Sequence, residues 1–182
     1  MATLPPISDL PSLPASSLTA VLDLLFEPSP PLHTLSTPLL QSATFSSYPA
    51  LIVAIQTQLT TLASSTSPDA ITTLSEILCA HPRLGEKKVD SEQSRAEQAQ
   101  LNKGGQEEAE ALAKLNREYE EVFPGLRYVV FVNGRSRPEV MSNIRSRISR
   151  NDIAAERAEA IQAMCDIAVD RAQKLPQGLA RL

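Results

Sequence analysis

The spacing of apolar residues between the prolines restricts this chain to a helical fold. From Pro49 onward, apolar side chains recur every three or four residues, as at Leu51, Ile55, Leu59 and Leu62. This interval places them on one face of an α-helix, and that face must be buried against other elements. The later segments repeat the pattern, so helices packed on helices are predicted for most of the chain.

Capping residues and prolines predict where the helices begin and end. Ser67-Pro68-Asp69 is a typical helix start, with a serine cap, a proline at the first position and an acid near the positive end of the dipole. That helix must end near Ala80, because His81 precedes a proline and is displaced from the helical region. The predicted helices are Ser17–Glu27, one that starts at Pro49, Ser67–Ala80, Ser91–Asn102, Gln106–Phe123, Pro138–Ser149 and Asp152–Lys174.

The remaining segments are predicted to lie outside the helices. Residues 1–16 are rich in proline and form an extended N-terminal arm, and a second loose segment follows Pro28-Ser29-Pro30. Tyr128–Val132 is β-branched and aromatic and is predicted to be one short extended segment. Since no second strand-like run accompanies it, we expect it to line something rather than form a sheet. The prediction is therefore an all-α fold, a single compact multi-helix domain over residues 17–179.

Charge is distributed unevenly along the chain, whose formal net charge is −4. No lysine or arginine precedes Arg83, and acidic residues nearly balance the basic ones after it. This balance argues against a nucleic acid as the main partner, which would require a basic face. A solvated helix face or an oligomer contact is the preferred interpretation of one group of arginines: Arg135, Arg137, Arg145, Arg147 and Arg150. No apolar stretch reaches membrane-spanning length, and no signal-peptide pattern is recognisable.

His81 is the first candidate for chemistry. It follows the end of a predicted helix, and the negative end of the helix dipole favours the imidazolium form of the ring. An imidazolium suits a group that must meet an anion or deliver a proton. A histidine that only caps the last helical carbonyls is the alternative, and the sequence leaves both open.

The segment Ser94–Gln98 also has two interpretations. Ser94 and Glu97 have the spacing of a capping box, in which the two side chains bind each other's backbone N–H groups. If the helix instead begins near Ser91, then Ser94, Glu97 and Gln98 project from one face and resemble the polar wall of a pocket.

Arg171 lies in the last predicted helix, in register with the apolar residues that mark its buried face. A guanidinium in such surroundings requires an anion, either a protein carboxylate or a bound one. Alternatively, Arg171 lies at the edge of that face and extends into solvent.

Five short motifs, in order along most of the chain, resemble the 2-oxo-4-hydroxy-4-carboxy-5-ureidoimidazoline (OHCU) decarboxylase family of urate degradation. Phe26-Glu27-Pro28-Ser29-Pro30 is similar to its early F-E-x-S-P, and His81-Pro82-Arg83-Leu84-Gly85 to its H-P-x-L-G. Ser94-x-x-Glu97-Gln98 is similar to its S-x-x-E-Q. The remaining similarities are Leu115-Asn116-x-x-Tyr119-x-x-x-Phe123 and the aromatic and β-branched segment Tyr128–Phe131.

The resemblance implies a cofactor-free carboxy-lyase that converts a small ureidoimidazoline substrate, OHCU, to (S)-allantoin, and it implies a homodimer. His81 would act as general acid/base, with Glu97 sharing the proton transfers. Arg171 corresponds to an arginine in the final helix of the family. The implied substrate-binding residues are Pro82, Ser94, Gln98, Val129, Val130 and Arg171, with the two valines acting through their backbone.

The last three residues, Ala180-Arg181-Leu182, resemble the Ser-Lys-Leu peroxisomal address. They predict a peroxisomal location and a peroxisomal import receptor as partner. This signal is independent of the motifs above.

Two other functions remain open. One is a catalytically inactive peroxisomal helical interaction protein, and the other is a lyase or hydrolase for a related ureido compound. Convergence of His81, Glu97 and Arg171 on one pocket would argue against the inactive protein. No metal site is predicted, because the two histidines and two cysteines lack the spacing of ligands.

Overall fold

The computed structural model describes residues 2–86, 92–99 and 105–178. Within these residues a short 3-10 helix, Ile7–Ser12, precedes eight α-helices, and no strand is formed. The α-helices are α1 Ala15–Phe26, α2 Pro30–Ser42, α3 Tyr48–Ala63, α4 Pro68–Leu78, α5 Glu92–Gln98, α6 Gln106–Val122, α7 Arg137–Arg150 and α8 Ile153–Lys174. None of these helices is long and apolar enough to cross a membrane. The predicted all-α fold is confirmed.

Helix α8 is the central element of the packing. It lies against α1 and α3, while α6 and α7 pack against each other. Its buried face carries Ile161, Met164 and Ala168, at the helical spacing that the sequence predicts. A large cluster of buried apolar side chains from these helices forms the core. Because the last turns of α8 also carry Arg171, the core fixes one wall of the site described below.

The segment after Pro28 is a helix, not the loose stretch that its prolines predict. Ser29 caps α2 by accepting a hydrogen bond from the Leu32 amide at 3.4 Å, and Pro30 occupies the first turn, where a missing N–H is tolerated. Pro38 lies inside the helix. Leu32 and Leu40 are buried on one face, so tertiary burial outweighs the proline penalty.

The N-terminal segment is docked, and the prediction of a loose extended arm over residues 1–16 is wrong for the part described. Leu4 and Leu10 are fully buried. The Leu4 amide donates to the Pro176 carbonyl at 2.9 Å, and the Tyr48 hydroxyl donates to the Pro5 carbonyl at 2.7 Å. Two buried leucines and these hydrogen bonds offset the entropy lost on ordering the segment. The C-terminal residues 180–182 lie outside the described residues.

Tyr128–Val132 forms neither helix nor strand, as predicted, and joins α6 to α7. Its side chains are buried except for Phe131, which is half-buried, and Val129 packs with Ala163 and Ile167 of α8. The chain therefore packs against α8 as a single irregular strip. This strip becomes a wall of the site.

The arginines near the C-terminal end do not form one solvated face. Arg137 and Arg147 are buried, whereas Arg135, Arg145 and Arg150 are exposed. The positions of the two buried arginines follow the helical period, since they lie in register with Val140 and Ile144 on the buried side of α7. Arg147 binds Glu156, which is fully buried, so the predicted solvated or oligomer-contact role fails for this residue.

Candidate active site

A cavity of about 360 Å³ lies where four segments meet, a volume within the range of small-molecule sites. Its walls are the loop after α4, the helix α5, the strip Tyr128–Val132 and the last turns of α8. Six of the residues predicted for the site line this cavity: His81, Pro82, Ser94, Glu97, Val129 and Val130. The side chain of Gln98 lies outside the described part of the structure.

The loop that carries His81 is held from both sides. Helix α4 ends at Leu78, two residues before the predicted end. The Arg127 guanidinium donates to the Cys79 carbonyl at 2.8 Å and to the His81 carbonyl at 3.3 Å. The Asn116 amide donates to the Leu84 carbonyl at 3.0 Å. These bonds satisfy carbonyls that the end of α4 and the loop leave free, and they fix the backbone beneath the imidazole.

His81 is a buried, neutral imidazole, and the expected imidazolium is wrong. Its side chain is almost inaccessible, and Nε2 has no hydrogen-bond partner among the described residues. Burial and, secondly, the charge of Arg171 lower the pKa of His81 to about 3. The helix dipole is worth only a fraction of a kcal/mol to about 2 kcal/mol, so desolvation outweighs it here.

This lowered pKa predicts a loss of stability at acidic pH. The unfolded chain takes up a proton on His81 below about pH 6.5, whereas the folded chain does so only near pH 3. The unfolded state therefore binds more protons in this window, and the contribution of His81 to stability is complete above pH 6.5 and is lost as the pH falls. The free energy of unfolding, measured with urea at several pH values from 7 to 4, should fall with decreasing pH in both proteins. Its fall should be steeper by about 1.4 kcal/mol per pH unit in the wild type than in His81→Asn. Equal slopes would contradict the buried neutral imidazole.

Arg171 fixes the polar wall of the cavity. Its Nε and Nη2 atoms donate to the two carboxylate oxygens of Glu97 at 2.7 and 2.9 Å. Nη2 also donates to Ser94 Oγ at 3.0 Å. Ser94 and Glu97 therefore face the site rather than closing a capping box, which favours the pocket-wall interpretation. Arg171 itself lines an adjoining cavity that shares Glu97 with the first, and its Nη1 atom is buried without a hydrogen-bond partner in the described structure.

Glu27 is a residue of this cluster that the sequence analysis does not single out. Its carboxylate accepts a hydrogen bond from Ser94 Oγ and one from Arg171 Nη2, both at 2.6 Å. Glu27 is buried at the end of α1 and has a φ of 100°, a conformation that non-glycine residues rarely adopt and that often marks functional sites. The sequence feature that could have indicated Glu27 is the motif that contains it, in which a single acidic residue lies between the end of a helix and Pro28.

His81 and Glu97 thus line one cavity, and Arg171 binds Glu97 directly. The described residues form an all-α fold with a small cavity, a buried histidine whose Nε2 has no hydrogen-bond partner among them, and a carboxylate held by an arginine. These are the features expected of an enzyme that moves protons on a small polar substrate. The sequence matches the family described as OHCU decarboxylase over residues 11–173. The chain belongs to this family, and it is a carboxy-lyase that decarboxylates OHCU in urate degradation. A comparison with curated proteins finds no match.

Proposed function

We propose that this cavity converts OHCU to (S)-allantoin without a cofactor, with His81 as the general acid/base. One observation carries the proposal. The imidazole of His81, whose Nε2 atom has no hydrogen-bond partner among the described residues, lines the same cavity as the fixed carboxylate of Glu97. A neutral imidazole is both a proton acceptor and, once protonated, a proton donor, which are the two roles that this reaction requires.

The substrate supplies its own electron acceptor. When the bond between the ring carbon and the carboxylate breaks, its electron pair moves toward the adjacent ring C=N bond, whose nitrogen takes up a proton, and CO2 leaves. The remaining hydroxyl-bearing, enol-like intermediate becomes allantoin when its hydroxyl loses a proton and the ureido-bearing carbon gains one. The side chains must therefore bind an anion, exclude water and deliver that last proton to one face.

The low pKa of His81 suits this sequence of events. Before the substrate binds, the ring is neutral and can accept the proton of the substrate hydroxyl. A bound anion next to the ring favours the protonated form and raises the pKa of His81 toward the working range. The imidazolium formed then donates its proton to carbon, and a ring buried on one side of the cavity makes the delivery selective for one face.

The other residues bind and orient the substrate. Glu97 shares the proton transfers and accepts hydrogen bonds from the substrate hydroxyl or ureido N–H groups, because the arginine fork holds its carboxylate in one orientation. Arg171 offsets negative charge at the site. The remaining contacts are assigned to Pro82, Ser94, Gln98 and the backbone of Val129 and Val130.

Circular dichroism of the product tests this proposal. OHCU is generated from urate with urate oxidase and the downstream hydrolase, the purified protein is added, and the allantoin signal is followed. Spontaneous decay gives racemic allantoin, so a strong and persistent signal is expected only with an active, face-selective enzyme. A signal equal to that of the enzyme-free control would contradict the proposal and favour the altered-substrate or inactive interpretation.

We also propose a peroxisomal location and a homodimer. The first is supported by the similarity of Ala180-Arg181-Leu182 to a peroxisomal address read by the import receptor, and it requires this tripeptide to stand at a carboxyl terminus. A fluorescent fusion that stays cytosolic would contradict it.

The homodimer is supported by the family resemblance. A molar mass equal to that of one chain, measured by light scattering, would contradict it.

A further inference from the structure

One wall of the cavity is attached to a buried ion pair that does not touch the cavity itself. The strip Tyr128–Val132 has no helix or strand of its own to fix its backbone. Arg147 of α7 donates a hydrogen bond from Nη1 to the Val129 carbonyl at 3.0 Å. Val129 and Val130 line the cavity, so this bond holds the backbone at the point where the substrate is proposed to bind.

Arg147 is itself held rigidly. Nε donates to Glu156 Oε2 at 3.0 Å, and Nη2 donates to Glu156 Oε1. The Tyr119 hydroxyl donates to the same carboxylate at 2.5 Å. Arg147 is nearly inaccessible and Glu156 is fully buried, so solvent does not weaken these bonds.

The guanidinium also contacts the neighbouring residue of the strip. Its central carbon lies 4.8 Å from the centre of the Tyr128 ring, a cation–π distance. The Tyr128 hydroxyl in turn donates to Asn143 of α7 at 2.5 Å. Two successive residues of the strip are therefore tied to α7 through one arginine and one asparagine.

We infer that Arg147 is a positioning residue for the substrate, because it sets the place and direction of the Val129–Val130 backbone through the Val129 carbonyl. The inference rests on the proposed function of the cavity. A buried ion pair with a purely structural role requires only the fork onto Glu156. Arg147 makes a third hydrogen bond, to the Val129 carbonyl in the cavity wall. A planar guanidinium has enough N–H donors to make all three bonds at once, whereas the single ammonium group of a lysine does not.

Arg147→Lys separates these two roles. The lysine keeps a positive charge beside Glu156, but its single ammonium group cannot span both Glu156 and the Val129 carbonyl. The KM for OHCU is expected to rise about tenfold, roughly the effect of one lost hydrogen bond, with kcat within about threefold of the wild-type value. The enantiomeric excess of the allantoin is expected to fall, since one wall of the cavity is no longer fixed.

Arg150→Lys is the matched control. Arg150 lies on the same helix and donates to the same Glu156 carboxylate at 3.2 Å, but it is exposed and no hydrogen bond joins it to the strip among the described residues. Its KM and product selectivity are expected to equal those of the wild type. Should Arg147→Lys fail to fold, Glu156→Gln loosens the guanidinium without removing it, and KM should rise by a smaller factor.

The outcomes distinguish this inference from the proposed function. If the wild-type protein produces no allantoin dichroism, the proposed function fails. If the wild type is active and folded Arg147→Lys has the same KM and enantiomeric excess, Arg147 serves stability alone and the inference is overturned. An equal rise in KM for Arg150→Lys would overturn it as well, because weaker hydrogen bonding to Glu156, and not the bond to the Val129 carbonyl, would then be the cause.

Discussion

Replacing His81 with asparagine is expected to lower kcat by about two to four orders of magnitude, the usual contribution of a general acid/base. Asparagine retains a polar side chain of similar reach but neither accepts nor delivers a proton at neutral pH. The helical fold should survive, because His81 Nε2 has no hydrogen-bond partner in the described structure to lose. As the pH falls below 6, the variant should lose less stability than the wild type, since it lacks the buried imidazole that resists protonation.

The measurement is the initial rate of allantoin formation per folded protein, with far-ultraviolet circular dichroism as the check on folding. His33→Asn is the matched control, because His33 is the other histidine of the chain and does not line the cavity. It lies in α2 and binds Asp23 of α1. That control should retain wild-type turnover. Full turnover in folded His81→Asn would exclude the acid/base role, and leave His81 as a wall of the cavity.

The helices are largely predictable because their signals are local. Apolar spacing and a Ser-Pro-Asp cap predict α4 to within two residues of its observed end. The misassignments come from the same local logic. Prolines predict a loose segment where α2 forms, since the burial of Leu32 and Leu40 is a tertiary effect that spacing alone does not reveal.

The site is predictable as a set of residues but not as a set of charges. The motifs place His81 and Glu97 together, yet the protonation state of His81 depends on burial, which the helix dipole argument ignores. The buried roles of Glu27 and Arg147 are not predicted, for a related reason. Each is a charged residue that sequence rules assign to the surface, and each becomes buried only because a partner distant in the chain, Arg171 or Glu156, neutralises it.

Replacing Arg171 with methionine is expected to lower the free energy of unfolding by about 3–5 kcal/mol, the typical result of removing one partner from a buried ion pair. Glu27 is almost inaccessible, and Arg171 is the only cation within salt-bridge distance of it among the described residues. Glu97 also loses both of its hydrogen bonds from the guanidinium. Equilibrium urea unfolding at pH 7 measures the difference.

Lys174→Met, one turn further along α8, is the control for stability. Lys174 is largely exposed and pairs with Asp170 on the surface, so its removal should change the free energy of unfolding by no more than about 0.5 kcal/mol. The double variant Arg171→Met/Glu27→Gln should recover part of the loss, because a neutral amide is less costly to bury than an unpaired carboxylate. Recovery would identify Glu27 as the buried charge that Arg171 neutralises. A stability change as small as that of Lys174→Met would contradict the buried cluster.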